Sequence, residues 1–202
     1  MNLVLSVLAS YLIGSIPFSY IFSKLRGGVD PRKGGTGNVG ATNTLVVAGK
    51  TAAILALIGD FGKGAAAVAL ARYLNLNDWG IVFSCLAAIA GHDFSIFLGF
   101  KGGKGVATTG GVLMALDPVF TILIILLWVL CMLVLRYFIP STILVLCFAP
   151  VMMWMVTWRG EYIVFGVFNA LLGIYAHWAD LKRFFAGSEF TIQESVAKYF
   201  RK

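Results

Sequence analysis

Six long apolar runs leave this chain little freedom: residues 3–23, 51–73, 79–98, 118–135, 140–158 and 162–178 are almost free of charge. A hydrocarbon core about 30 Å thick needs roughly 20 mainly apolar residues per helical crossing. Each run meets that requirement, and in lipid the helix satisfies every backbone polar group within the segment. Composition agrees, since 59% of residues are hydrophobic and 12% charged, with a mean hydropathy of +0.89; a soluble domain carries about a quarter charged residues. The chain therefore reads as an all-α integral membrane protein with one domain over residues 1–202. The first run lacks a positive leading segment and a small-residue cleavage site, and is expected to stay as the first helix.

A further apolar piece, residues 106–116, would be only about 17 Å long as a helix. Whether it crosses decides the topology. Lys24, Arg26, Arg32, Lys33 and Lys50 follow the first run, Lys101 and Lys104 the third, Arg136 the 118–135 run, and Lys182, Arg183, Lys198, Arg201 and Lys202 the last. If these basic groups share the cytoplasmic side, the short piece must cross, and the other connectors hold only Arg72, Asp78, Asp117, Arg159 and Glu161. The prediction is a seven-transmembrane-helix bundle, N-terminus outside, C-terminus cytoplasmic, fourth span short. A short span leaves room for a cavity opening towards Lys101 and Lys104. Gly59, Gly62, Gly64 and Ala65 to Ala67 in the second span, with Gly110 and Gly111 in the fourth, predict close packing there. Beyond Leu181 basic and aromatic residues mix, as in an interfacial segment.

The net charge of +7 sits between the apolar runs and at the C-terminal end. It points to anionic headgroups or phosphorylated substrates, not nucleic acid. Cys85, Cys131 and Cys147 lie inside apolar runs and read as small hydrophobes, without a disulfide. No cluster has metal-ligand spacing.

Two glycine-rich loops stand between basic residues and apolar runs. Residues 34–43 read Gly-Gly-Thr-Gly-Asn-Val-Gly-Ala-Thr-Asn. The letters satisfy G-x-G-x-x-G, but a dinucleotide fingerprint needs a preceding strand, and here a membrane-length run precedes. A plain connector would not need Asn38, Thr42 and Asn43 where the chain re-enters an apolar environment. Residues 99–108 hold Lys101-Gly102-Gly103-Lys104-Gly105 and fail the P-loop pattern, since Gly105 follows Lys104 in place of Ser or Thr. Glycine N–H groups, a lysine and a helix N-terminus still form an anion site. Two phosphate-sized sites on one face imply two phosphorylated substrates. Ionisable groups within spans complete the candidates: Asp60 and Lys63, one helical turn apart and able to neutralise each other, His92 with Asp93, and His177 with Asp180.

These residues resemble the bacterial membrane acyl-phosphate:glycerol-3-phosphate acyltransferases of the PlsY type over nearly the whole chain. Gly37-Asn38-Val39-Gly40-Ala41-Thr42-Asn43 resembles the family's first motif, residues 100–108 its second, and His177 remains from its third. Gly91-His92 and Asp60 with Lys63-Gly64 also stand where the family has them. The resemblance implies transfer of a fatty acyl group from acyl phosphate to the 1-hydroxyl of glycerol 3-phosphate, giving lysophosphatidic acid for phospholipid synthesis in the bacterial inner membrane, with the active site facing the cytoplasm. It implies no cofactor, no metal and no obligate protein partner. Thr36, Lys104 and His177 become the expected catalytic residues. Gly35, Gly37, Asn38, Gly40, Asn43, Gly102, Gly103, Gly105 and Asp180 become the expected substrate contacts, and Asp60, Lys63 and His92 their supports. Acyl phosphate is already activated, so positioning and electrostatics can supply much of the catalysis. The acceptor proton could go to a substrate phosphate or to His177.

Four positions depart from the family pattern. Thr36 stands for a serine, Val46 for an arginine, and Trp178 and Asp180 for arginine and asparagine. The last three thin the charge expected on the glycerol-phosphate side. They leave two alternatives open: a paralogue acylating a different acceptor, and a non-catalytic lipid-phosphate binder or transporter.

Overall fold

The computed structural model describes residues 1–157 and 159–200. Trp158, Arg201 and Lys202, which belong to the last-but-one run and the basic C-terminus of the sequence reading, lie outside them. The described residues are helical, without strands, and form two compact units, residues 1–116 and residues from 117 on.

The first unit contains α1 (Asn2–Ser15), α2 (Phe18–Gly27), α3 (Ala41–Tyr73), α4 (Asp78–Asp93) and α5 (Val106–Leu116). The run at residues 3–23, expected as one helix, is broken between α1 and α2. Pro17 has no N–H to continue the ladder, and the Ile16 carbonyl accepts the Phe18 N–H at 3.2 Å and the Lys63 ammonium at 2.9 Å. The expected span at residues 51–73 is the later part of the longer α3, which is interrupted at Gly49, where φ is 83°. Only glycine takes that conformation without strain.

Small residues set the packing. A Cβ at Gly14 would collide with the Ala88 carbonyl, and one at Gly91 with that of Tyr11, so α1 and α4 touch backbone to backbone. Gly64 meets the Thr108 carbonyl and Gly111 that of Phe61, which brings α3 and α5 equally close. Gly62 has nothing within 4 Å, so the expected tight seam uses only some of its glycines. Serines fill the interior: Ser6, Ser10, Ser15, Ser19 and Ser23 are buried, and Ser6 and Ser84 share a 2.8 Å hydrogen bond between α1 and α4.

The second unit contains α6 (Pro118–Leu135), α7 (Phe138–Thr157), α8 (Gly160–Ala176), α9 (Trp178–Phe185) and α10 (Ile192–Phe200). Asp117 caps α6, accepting the Phe120 N–H at 2.9 Å, with Pro118 at the first helical position. Leu126, Leu130 and Leu133 point outward, as suits a lipid solvent. Trp128 donates to Thr142 at 3.0 Å across α6 and α7, and Gly166 lets α8 approach Pro150 of α7. The expected last span, residues 162–178, does not continue straight: α8 and α9 meet at His177 with a 66° bend. α10 opens on a reciprocal cap in which Glu194 accepts the Thr191 N–H at 2.8 Å and the Thr191 hydroxyl accepts the Glu194 N–H at 3.2 Å. The Thr191 N–H and the Thr191 hydroxyl, both donating to it at 2.8 Å, hold the Glu194 carboxyl below its ordinary range.

Among the described residues five helical stretches are long and apolar enough to cross a membrane, or six if α8 with α9 counts as one span. The 11-residue α5 falls short of that length.

Candidate active site

The first loop begins with a short helical turn, Pro31–Lys33, capped by Asp30. Asp30 also holds Arg32 through two side-chain bonds of 3.0 and 2.8 Å. The Arg32 hydrogen bond keeps the Asp30 carboxyl at about 2, below the ordinary aspartate range. Gly35 and Gly37 then take positive φ, 59° and 74°, and fold the chain back on itself. Asn43, 1% exposed in the first turn of α3, gathers the loop around its amide. Its Oδ1 accepts the Thr36 N–H at 2.8 Å, and its Nδ2 donates to the carbonyls of Pro31, Asn38 and Gly34 at 2.7, 2.9 and 3.2 Å. A Cβ on Gly35 would collide with that Oδ1. Asn43 was expected to touch substrate; its polar atoms are instead committed to the loop backbone. Thr36 stays exposed, its hydroxyl accepting the Asn38 N–H at 3.4 Å, and buried Val39 anchors the far side. Val46 packs beside Gly35, where its methyl group reaches towards the loop.

The second loop is seated on the end of α4. Gly102 N–H donates to the Asp93 carbonyl and Gly103 N–H to the His92 carbonyl, both at 3.0 Å. These two N–H groups are therefore not turned to an anion, contrary to the expectation for a glycine-rich loop. The glycines serve close approach: a Cβ on Gly103 would collide with His92 Nε2 and with the Val39 carbonyl of the first loop. Both loops thus meet within the first unit, at Val39 and Gly103. Gly105, at φ 70°, turns the chain into α5 against the Asp93 carboxylate. Lys104 is half-buried and Lys101 exposed.

Beneath the loops lies a buried polar chain. Asp60 and Lys63 form an ion pair at 2.8 Å with side chains only 1% and 2% exposed. Ser19 donates to Asp60 Oδ2 at 3.0 Å, and His92 Nδ1 faces Asp60 Oδ1 at 3.5 Å. Ser23 donates to the Thr44 hydroxyl at 3.3 Å, next to Asn43. The sequence reading missed these serines. The four-residue spacing of Ser19 and Ser23 was the available signal, since it places both on one face of α2.

In the second unit, His177 closes α8 and opens α9. It is 1% exposed, its Nδ1 is 3.2 Å from Asp180 Oδ2, and its Nε2 has no hydrogen-bond partner among the described residues. Arg183 pairs with the other Asp180 oxygen and with Glu189 at 2.9 Å. Asp180 was expected among the substrate contacts, as a carboxylate that repels a phosphate unless it is protonated or paired. It is balanced by Arg183, a residue first read only as part of a basic tail, although its spacing from Asp180 is that of neighbours on one helical face. No group of three or more His, Cys, Asp or Glu among the described residues could hold a metal.

A family model described as glycerol-3-phosphate acyltransferase matches residues 4–187. The chain is 42% identical over 191 residues to the glycerol-3-phosphate acyltransferase of Dechloromonas aromatica (strain RCB), covering 94% of this chain and 96% of that protein. It is 37% identical over 189 residues to the protein of the same name from Desulforamulus reducens, covering 94% of each. The crystal structure of PlsY (YgiH), an integral membrane glycerol 3-phosphate acyltransferase in its glycerol 3-phosphate form, superposes with a TM-score of 0.88 at 33% identity, covering 95% of this chain and 96% of that one. The lysophosphatidic acid form of PlsY gives 0.87 at 32% identity, covering 97% and 99%. With several helices of membrane length and these relatives along nearly its full extent, this multi-pass membrane protein belongs to the glycerol-3-phosphate acyltransferase family.

Proposed function

We propose that the protein transfers a fatty acyl group from acyl phosphate to the 1-hydroxyl of glycerol 3-phosphate, releasing lysophosphatidic acid and inorganic phosphate. The observation that carries this reading is the meeting of two glycine-rich loops at Val39 and Gly103, within a family whose solved member is seen with glycerol 3-phosphate and with lysophosphatidic acid. In the reaction the acceptor oxygen attacks the acyl carbonyl carbon, the bond from that carbon to the phosphate oxygen breaks, and the hydroxyl proton leaves with the phosphate or on His177.

The first loop takes the donor head, with Thr36 offering an exposed hydroxyl and Gly35, Gly37, Asn38 and Gly40 shaping the turn. Asn43 acts by holding that shape. Lys104 neutralises phosphate charge where the second loop enters α5, and the bend at Gly105 aims it. Gly102 and Gly103 allow the loop to sit close to α4 and to the first loop. Asp180 orients His177, and Arg183 keeps that carboxylate from repelling a phosphate. No cofactor, metal or protein partner enters this scheme.

The topology that goes with it has seven crossings, α5 being the short fourth, with the N-terminus outside and both loops on the cytoplasmic side of a bacterial inner membrane. The positive charges beside the loops support that orientation. A single acyltransferase domain over residues 1–202 is supported by a family match over residues 4–187, a range that includes residues of both compact units.

The test is acyl transfer by purified protein in lipid, with palmitoyl phosphate as donor, with and without glycerol 3-phosphate. Lysophosphatidic acid formed above a Lys104→Ala control is the expected result. Phosphate release that ignores glycerol 3-phosphate would redirect the reading to another acceptor. Absence of turnover would leave the protein as a binder or transporter of lipid phosphates.

A further inference from the structure

We propose that His92, oriented by Asp60, is a positioning residue that seats the second glycine loop and keeps it against the first. The inference rests on the acyltransferase reading for its kinetic consequence, and on geometry alone for the seating itself.

His92 is placed to do this twice over. Its backbone carbonyl accepts the Gly103 N–H at 3.0 Å, and its ring occupies the volume that a Cβ on Gly103 would need. The ring is 6% exposed, so it reaches a substrate only through the loop it supports. Two opposite edges of the imidazole have different neighbours. Nε2 lies against Gly103, while Nδ1 faces Asp60 Oδ1 at 3.5 Å. An imidazole packed between the Asp60 carboxylate and Gly103 has little room to turn, and its orientation defines the floor on which Gly103 rests.

Asp60 is itself held from three directions. Ser19 of α2 donates to one oxygen at 3.0 Å, Lys63 pairs with the other at 2.8 Å, and Lys63 in turn is fixed by the Ile16 carbonyl at 2.9 Å. The chain extends to the first loop, because the Ser19 carbonyl accepts the Thr44 hydroxyl at 3.4 Å, and Thr44 follows Asn43 directly. Ser19 of α2, Lys63 of α3 and His92 of α4 thus converge on one carboxylate. A buried carboxylate held by an ion pair and a hydroxyl favours the arrangement that keeps both, since losing either leaves a buried charge poorly compensated. Gly103 also lies against the Val39 carbonyl, so a displaced second loop would leave its contact with the first. The family reaction needs a donor and an acceptor aligned within a fraction of an ångström, and a misplacement of about 1 Å can cost about a hundredfold in rate.

The experiment compares His92→Ala, His92→Gln and Ser84→Ala with the unaltered protein. Ser84→Ala serves as the control because it removes a buried hydroxyl from the same helix, at its contact with α1 and not with the loop. Two readouts are taken on protein shown to be folded by size exclusion and thermal unfolding. The first is hydrogen exchange of the peptide covering residues 99–105, which contains the two bonded glycine amides. His92→Ala is expected to speed that exchange about tenfold or more, a local opening, while Ser84→Ala leaves it unchanged. The second is steady-state kinetics with palmitoyl phosphate and glycerol 3-phosphate. His92→Ala is expected to lower kcat per folded molecule about tenfold to a hundredfold, His92→Gln to recover part of it by refilling the space beside Gly103, and Ser84→Ala to keep it.

Unchanged exchange in folded His92→Ala overturns the seating. Equal acceleration in Ser84→Ala overturns it too, since the effect would then be general loosening. If His92→Ala does not fold, His92→Gln with exchange and kcat both at the unaltered level overturns the proposal. If the unaltered protein shows no acyl transfer, the functional reading fails by itself and the exchange comparison still decides the seating.

Discussion

The Thr36 N–H lies 2.8 Å from Asn43 Oδ1, so the exposed threonine of the first loop is held by a residue buried seven positions later in α3. One carboxamide serves as both acceptor and donor for four backbone groups. The nearly isosteric Asn43→Asp keeps the acceptor and removes the donors, setting a carboxylate against the Pro31, Gly34 and Asn38 carbonyls. The expected outcome is a loss of stability of about 1–3 kcal/mol, the cost of leaving buried polar groups unsatisfied, together with loss of acyl transfer. Thermal unfolding in detergent, set beside turnover, checks it; a variant with unaltered Tm and turnover would contradict it.

Asp30 supplies a pH dependence whose sign follows from its depressed carboxyl. A group held at about 2 when folded, against about 3.9 in an unfolded chain, contributes stability above the unfolded value and loses it as pH falls towards the folded one. Asp30→Asn should therefore destabilise the first loop at pH 7 and make little difference near pH 2. Proteolysis or exchange of the 28–38 segment at the two pH values reads this directly. Equal effects at both would mean that the Arg32 contact does not hold the loop.

Arg183 is expected to matter through Asp180. Arg183→Ala removes a charged hydrogen bond to Asp180 next to His177, and loss of such a bond typically costs about 1.5–3 kcal/mol. Activity should fall about tenfold to a hundredfold, and adding Asp180→Asn should restore a part by removing the carboxylate charge. A double variant no better than the single would show that Arg183 acts by another route.

The contact between α3 and α5 predicts opposite outcomes for two neighbouring kinds of glycine. Gly111→Ala drives a methyl group into the Phe61 carbonyl and should destabilise by about 1–3 kcal/mol through overpacking. Gly62→Ala meets open space and should be neutral or stabilise by up to about 1 kcal/mol, the helix preference of alanine over glycine. Thermal unfolding of the two variants side by side settles the comparison, and equal Tm values would contradict the close approach.

Much of the fold is legible from hydropathy alone, because length and apolarity are properties a segment carries by itself. The interruptions are not. The break at Ile16 and Pro17 is stabilised by Lys63, a residue far along the chain, and the bend at His177 falls at the end of a run with no proline to announce it. The loops announce themselves by glycine, yet which glycine N–H groups remain free depends on carbonyls supplied by α4. For the same reason the letters of Asn43 and Asp180 do not disclose that one side chain bonds to the loop backbone and the other to Arg183. Ser19 was hidden by being unremarkable: one hydroxyl in an apolar helix gains meaning only when Asp60 is found opposite it.

The interruption of α3 at Gly49 has a mechanical consequence. Membrane helices tilt to match the thickness of the bilayer around them, and a rigid rod running from residue 41 to residue 73 would act as a lever, converting every change in lipid into a rotation of Asn43. The joint at Gly49, with no neighbouring atom within 4 Å of a Cβ placed there, removes that lever. The first loop rides on the short arm, and the bilayer pulls on the long one.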